Sequence, residues 1–208
     1  MLSTDWYRLI PMKYNLDKLI VWARKAQLSR QHTSQYQRLQ AAHLSEEQAK
    51  LVHPEPEVVA PSQKNCRLWV DVAPEEFWQE INEIFPCIEY YGNARSPQIG
   101  PRSTIIWEQT DTQKLADHID FSTSPQGNLY PGLSNIIVPL IGRFETWYYT
   151  DETCTQIADS VIYEPGNIFV IKNWDRWHAG QTLDDYRLCL QIFTEPSTPE
   201  EYVEKVFK

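Results

Sequence analysis

From residue 100 onward the chain breaks into short runs rich in β-branched and aromatic residues, and this pattern constrains its fold more than any other feature. The runs are STIIWEQT (103–110), SNIIVPLIG (134–142), FETWYYT (144–150), SVIYEPG (160–166), NIFVIKNW (167–174) and YRLCLQIF (186–193). Turn residues split them, among them Ser124-Pro125-Gln126-Gly127, Pro131-Gly132 and Pro165-Gly166. Short strands at this spacing bury their apolar faces by forming an antiparallel barrel or a double-sheet jelly roll. There is no internal repeat and no low-complexity tract.

The first sixty residues have a different character. Residues 15–52 are rich in Leu, Ala, Gln, Lys and Arg and contain no Gly or Pro. Asn15 is placed to cap a helix in which Leu16, Leu19, Ile20 and Ala23 form one stripe. Ser45-Glu46-Glu47-Gln48 has the form of a capping box for a second helix. The three prolines of HPEPEVVAPSQKN (53–65) read as an extended connection. Next, VAPEEFWQEINEIFP gives a supporting helix over 74–85, with Pro74 at its first position and Glu75 and Glu76 at the positive end of its dipole. Phe77, Ile81, Ile84 and Phe85 form its buried stripe, and Pro86 stops it. The expected division is a helical N-terminal extension over 1–62 and a β domain over 63–208.

Composition excludes several classes of function. A net charge of −9 argues against general nucleic-acid binding, which needs a basic face. No window of about eighteen apolar residues exists to span a bilayer. Asp5, Arg8 and Lys13 interrupt any signal-like apolar stretch, so the expected location is cytoplasmic. Cys66, Cys87, Cys154 and Cys189 show no CxxC spacing and read as reduced, buried thiols rather than a zinc site.

The candidate chemistry begins at LADHIDFST (115–123). On a strand, residues i and i+2 share a face, so His118 and Asp120 would deliver an imidazole and a carboxylate into one space. Alone, the pair is ambiguous. The only other histidine in the β half is His178, sixty residues on, after the Pro165-Gly166 turn and the apolar run Ile168–Ile171. Two His and one carboxylate make the facial triad that leaves open positions on Fe(II). Nine residues later, Arg187 stands in YRLCLQIF. Alternation puts Tyr186, Leu188, Leu190 and Ile192 on one face, and Arg187, Cys189, Gln191 and Phe193 on the other. A guanidinium inside an apolar strand is unfavourable unless paired, and a bound carboxylate would pair it.

This order, His118-x-Asp120, His178 after a turn and strand, then Arg187 in the last strand, resembles the Fe(II)/2-oxoglutarate-dependent dioxygenases, in particular their prolyl-hydroxylase-like branch. The resemblance covers roughly residues 100–195. It implies a double-stranded β-helix, a jelly-roll or cupin-like barrel that is mainly β with helical additions. It implies His118, Asp120 and His178 as iron ligands and Arg187 as the grip on the distal carboxylate of 2-oxoglutarate. Asn135, in the strand after the motif, is a further residue expected to face the co-substrate. The implied cofactors are Fe(II), 2-oxoglutarate and O2, and the implied reaction is hydroxylation of an unactivated C–H bond. Asp120 stands where the family's halogenases carry a small residue, which favours hydroxylation or a related oxidation. In one departure, the strand ahead of the motif offers Trp107 and no tyrosine, which leaves the second polar group around the co-substrate open. Aromatic residues near the motif strands, Trp107, Trp147, Tyr148, Trp174 and Trp177, are candidates for lining the site or filling the core.

The substrate class stays broad: an amino acid, a peptide or protein side chain, or a small molecule, with a mild preference for a neutral or basic one. The N-terminal helices are read as either a cover for the barrel or a dimer contact. His32, His43 and His53 read as exposed. Two alternatives remain on the residues alone: a cupin-like metal enzyme that does not use 2-oxoglutarate, and a non-catalytic jelly-roll binding module.

Overall fold

The computed structural model describes residues 2–3, 6–29, 66–85, 90–91, 103–110, 114, 117, 121–123, 129–131, 134–171 and 176–194. In chain order the elements are β1 (Leu2–Ser3), β2 (Tyr7–Pro11), α1 (Leu16–Ser29), β3 (Cys66–Val72), α2 (Glu75–Ile84), β4 (Tyr90–Tyr91) and β5 (Ser103–Gln109). They continue with β6 (Phe121–Thr123), β7 (Leu129–Pro131), β8 (Ser134–Ile141), β9 (Phe144–Tyr149) and β10 (Ile157–Tyr163). The last three are β11 (Asn167–Ile171), β12 (His178–Thr182) and β13 (Arg187–Thr194).

The large sheet has the order β1-β2-β11-β8-β13-β5-β3, with β4 also pairing β13. A smaller sheet runs β10-β9-β12, and β6 pairs β7. The pairings between these strands are antiparallel. The fold is therefore a mainly β jelly roll, as the spacing of the runs predicts.

Period-2 alternation sorts each strand of the large sheet between two environments. Ile168 and Val170 of β11, Ile136, Val138 and Leu140 of β8, and Leu188, Leu190 and Ile192 of β13 face the helices. There they meet Leu19, Ala23 and Ala26 of α1 and Phe77, Trp78 and Ile81 of α2, with Phe85 just beyond it. The residues between them turn the other way: Phe169 and Ile171 pack across to Phe144, Tyr148, Val161 and Tyr163 of the small sheet. That second layer is the interior of the jelly roll. Among the described residues the helix-facing cluster is much the larger, eighteen buried residues against seven. With each buried Leu, Ile or Phe contributing about 1.5–3 kcal/mol, most of the apolar stabilisation lies on the helix side.

The helices form where their caps and stripes predict. Asn15 Oδ1 accepts the Lys18 amide at 3.0 Å, and its carbonyl accepts that of Leu19. Leu19 and Ala23 are fully buried, and Leu16 and Ile20 pack beside them. Pro74 lies one residue before α2, at its N-cap, so the helix starts at Glu75. The expected stripe holds, but Trp78 and Glu80 are buried as well. Glu80 is buried because its carboxylate accepts the backbone amides of both Lys13 and Tyr14, which ties the entry to α1 onto α2.

The structure differs from the expected helical extension over 1–62. Its first part is strand: β2 pairs with β11 over Tyr7–Pro11, so it belongs to the large sheet. The YRLIP run has strand chemistry, and the unpaired edge of β11 recruits it. The expected second helix near Ser45, the boundary at 62, and His32, His43 and His53 all lie outside the described residues. Of the cysteines, Cys189 is a buried thiol and Cys154 a half-buried one. Among the described residues no helix is long and apolar enough to cross a membrane.

A proline inside β8 is accommodated by an irregularity. Across from β13, Leu188 faces Ile141 but Cys189 faces Pro139, so Leu140 is an extra residue. Proline is tolerated within a sheet at such bulges. Gly142 then turns the chain into β9 with φ of 77°, and a Cβ there would lie 2.2 Å from the Tyr186 carbonyl oxygen.

Candidate functional site

Two of the expected site residues, His178 and Arg187, open neighbouring strands in sequence and are both buried, at 5% and 4% exposure. His178 stands opposite Tyr148 in the β12–β9 register, and their rings are 6.2 Å apart. Same-face residues of β12 are His178, Gly180 and Thr182, which lie opposite Tyr148, Thr146 and Phe144. Phe144 and Tyr148 belong to the interior cluster. His178 therefore faces the inside of the jelly roll.

Its tautomer follows from one contact. Nδ1 lies 3.0 Å from the carbonyl oxygen of Arg176. A carbonyl can only accept, so Nδ1 carries the proton and the neutral ring has its lone pair on Nε2. A backbone carbonyl on the distal nitrogen is a common way to orient a metal-binding imidazole.

Arg187 lies on the same interior. Alternation predicts that it turns away from Leu188, Leu190 and Ile192, and those three residues do face the helices. Its guanidinium stacks over Phe144, with Cζ 3.8 Å from the ring centroid, and donates to the Tyr163 hydroxyl at 3.2 Å. Tyr163 in turn stacks on Phe169 at 4.2 Å and hydrogen-bonds Thr146. Burial pushes the Tyr163 phenol up to about 12, with Arg187 offsetting only part of that rise. The phenol is neutral near pH 7, so the Arg187–Tyr163 pair holds one positive charge inside the barrel. Gly180 makes room for this stack: a Cβ there would lie 2.4 Å from the Phe144 ring and 2.7 Å from the Glu145 carbonyl oxygen.

His118 and Asp120 lie outside the described residues. The chain leading to them is described at two points. Lys114 bridges Gln181 of β12 in antiparallel fashion. Asp117 accepts a hydrogen bond from Tyr149 on β9. Asn135 lies in β8, in register with Ile171 and Phe193. Among the described residues no three His, Cys, Asp or Glu side chains gather to hold a metal.

Sequence reasoning missed β12 as a strand, and missed Tyr163, Phe144 and Gly180 around Arg187. Alternation in SVIYEPG puts Val161 and Tyr163 on one face, which was a signal for burial. Nothing local could show that this face meets Arg187.

No protein-family model matches the sequence, and no curated protein sequence matches it. Solved structures do resemble the fold. The viral collagen prolyl hydroxylase of Paramecium Bursaria Chlorella virus-1, solved as its 2OG complex, aligns over 91% of this chain and 95% of its own, at 10% identity and a TM-score of 0.50. A Pseudomonas putida prolyl-4-hydroxylase aligns over 91% of each chain, at 8% identity and a TM-score of 0.47. The Lactobacillus farciminis oxalate decarboxylase aligns at 13% identity and a TM-score of 0.37, and the match spans 30% of that enzyme's length and 64% of this chain. At these identities the likeness is one of fold: this chain and the viral hydroxylase share the jelly roll.

Proposed function

We propose that this protein is an Fe(II)- and 2-oxoglutarate-dependent dioxygenase that hydroxylates a C–H bond of an amino acid, a peptide or protein side chain, or a small molecule. The observation that carries this reading is Arg187, a guanidinium buried in the same interior as His178 and held by Tyr163 and Phe144. A fixed fork of donors in a low-dielectric interior is suited to one carboxylate of a small dicarboxylate. The Tyr163 hydroxyl is the polar group that the strand ahead of the motif does not supply.

The chemistry of His178 suits a metal ligand as well. His178 presents Nε2 inward, its ring fixed by the Arg176 carbonyl. Asp117 reaches to Tyr149, whose side chain packs with Trp147 and Ala179 on the outer face of the small sheet. His118 and Asp120, which lie outside the described residues, complete the proposed ligand set with His178. Bound there, Fe(II) would supply the activation of O2 that protein side chains cannot. The chain's own part is to orient the co-substrate through Arg187 and Tyr163 and to exclude water with the aromatic interior around Phe144, Tyr148 and Phe169.

The test is anaerobic reconstitution with Fe(II), followed by 2-oxoglutarate, watching for the weak visible charge-transfer band of the chelate. The parent should show it. His178→Ala should lose both iron and band, whereas Arg187→Ala should keep iron and need far more 2-oxoglutarate. Iron bound without a band would favour a cupin-like metal enzyme that does not use 2-oxoglutarate. No iron at all would favour a binding module.

A further inference from the structure

Arg187 occupies the end of the barrel interior at Phe144. The other end lies at Tyr148, four residues along β9, or about 13 Å away at about 3.3 Å per residue. A second guanidinium stands there. Arg176 Cζ lies 5.3 Å from the Trp6 ring centroid, and Trp6 leans on Tyr148 at 5.6 Å. Tyr7 stacks on the Tyr148 ring at 6.0 Å, and His178 lies 6.2 Å from that ring. Asp159 stands opposite Tyr148 in the β10–β9 register, so it takes the same inner face. Its charge reaches Tyr7, whose phenol is raised first by burial and then by Asp159. Trp6, Asp159 and Arg176 are half-buried, whereas Tyr7, Tyr148 and His178 are buried. The first three therefore form a rim around an aromatic floor.

Two features of this rim point to a ligand. Arg176 Nε is buried and bonds to no acceptor. A buried donor without an acceptor is unfavourable, and a carboxylate would satisfy it with a charge-assisted bond. Asp159 puts the opposite charge on the same rim. One of its oxygens accepts the Ser160 amide at 2.8 Å, and among the described residues neither Asp159 nor Arg176 joins an ion pair. Both charges thus stand on one aromatic rim without neutralising each other. We infer that the rim binds a free α-amino acid, its carboxylate on Arg176, its ammonium toward Asp159 and its side chain on the floor made by Tyr7 and Tyr148. The inference rests on the oxygenase reading for the chemistry that follows binding, and it narrows three substrate classes to one. A peptide or protein side chain does not offer a carboxylate and an ammonium on one carbon. The backbone joins the rim to the interior as well, because the Arg176 carbonyl also fixes the His178 ring.

The experiment melts the full chain with each proteinogenic L-amino acid in millimolar excess, first alone and then anaerobically with Fe(II) and 2-oxoglutarate. At least one amino acid should raise the melting temperature. That amino acid is then titrated calorimetrically into the parent, Arg176→Met, Arg176→Lys and Asp159→Asn. Arg176→Met keeps an apolar chain over Trp6 and the carbonyl on His178, and should weaken binding about 10- to 100-fold. Arg176→Lys should recover part of that loss, and Asp159→Asn should weaken binding about 10-fold. The α-amide and the N-acetyl form of the same amino acid should each bind the parent about as weakly as the variants bind the amino acid. These two ligands carry the test without any mutation if a variant folds poorly. No stabilising amino acid under either condition overturns the inference, as does parent-like affinity in Arg176→Met or Asp159→Asn. Tighter binding of the N-acetyl form overturns it in favour of the C-terminal residue of a peptide. Amino-acid binding without the Fe(II)–2-oxoglutarate band would remove the oxygenase reading alone, and the band without amino-acid binding would remove this inference alone.

Discussion

The two faces of the large sheet obey different rules. On the helix side the sheet is aliphatic: Ile, Val and Leu from β8, β11 and β13 pack against the apolar stripes of α1 and α2, which add Phe77, Trp78 and Phe85. The interior between the sheets is aromatic, and it also holds a charge and hydrogen-bonding groups: Arg187, His178, Tyr163, Thr146 and Thr182, all buried. A strand such as β13 serves both faces at once, with Leu188 on one and Arg187 on the other. The difference teaches that stability is concentrated on one face while the other is free to hold polar groups that a purely stabilising core would avoid.

The largest expected effect breaks the helix side. Trp78→Ala removes one of the largest fully buried side chains and should lower the unfolding free energy by about 3–5 kcal/mol. Urea unfolding measures it, and a loss under 1 kcal/mol would contradict the assignment of stability to that face.

Gly180→Ala tests how closely the interior is packed. The new methyl group would meet the Phe144 ring, which rests on Arg187. A loss of about 1–3 kcal/mol is expected, together with weaker 2-oxoglutarate binding as Arg187 is displaced.

Arg187→Met should separate the faces most sharply. It replaces a buried cation with an apolar chain of similar length, so stability should stay within about 1 kcal/mol of the parent, while 2-oxoglutarate binding is lost. Calorimetric titration of the Fe(II)-loaded protein measures the second effect, and a large stability loss with retained binding would reverse the assignment.

Tyr163 and Tyr186 offer a pH comparison across the sheet. Burial raises both phenols to about 12, with Tyr186 also held up by its hydrogen bond to Glu108. The folded chain keeps these protons after the unfolded chain, near its ordinary value of about 10, has released them. Stability is therefore full below pH 10 and falls as pH rises from about 10 to 12. Urea midpoints across that window should fall less steeply in Tyr163→Phe than in the parent, and an unchanged slope would remove the buried phenol from the account.

The smallest effect is at the surface. Arg143 joins Asp184 through three contacts at 2.7–3.3 Å, one from its backbone amide, and holds its carboxyl below the usual range. Asp184→Asn should shift the melting temperature only slightly, and less still at high salt.

Much of this was legible along the chain because it depends on local periodicity. The strand runs, the stripes of both helices and the outward turn of Leu188 relative to Arg187 follow from periods of 2 and 3.6, and the cap at Asn15 from the acceptor on its side chain. The order of His118, Asp120, His178 and Arg187 is likewise a property of sequence. Other features were decided only by the tertiary structure. HAGQT has little strand chemistry of its own and becomes β12 because β9 pairs it. YRLIP enters the large sheet because β11 has an edge to offer. Tyr163 meets Arg187 where the small sheet packs on the large one, and Tyr149 meets both Asp117 and Trp177 through contacts between segments far apart in sequence. Periodicity tells each residue which face to take. Which residue waits on that face depends on long-range strand pairing, and no local pattern encodes it.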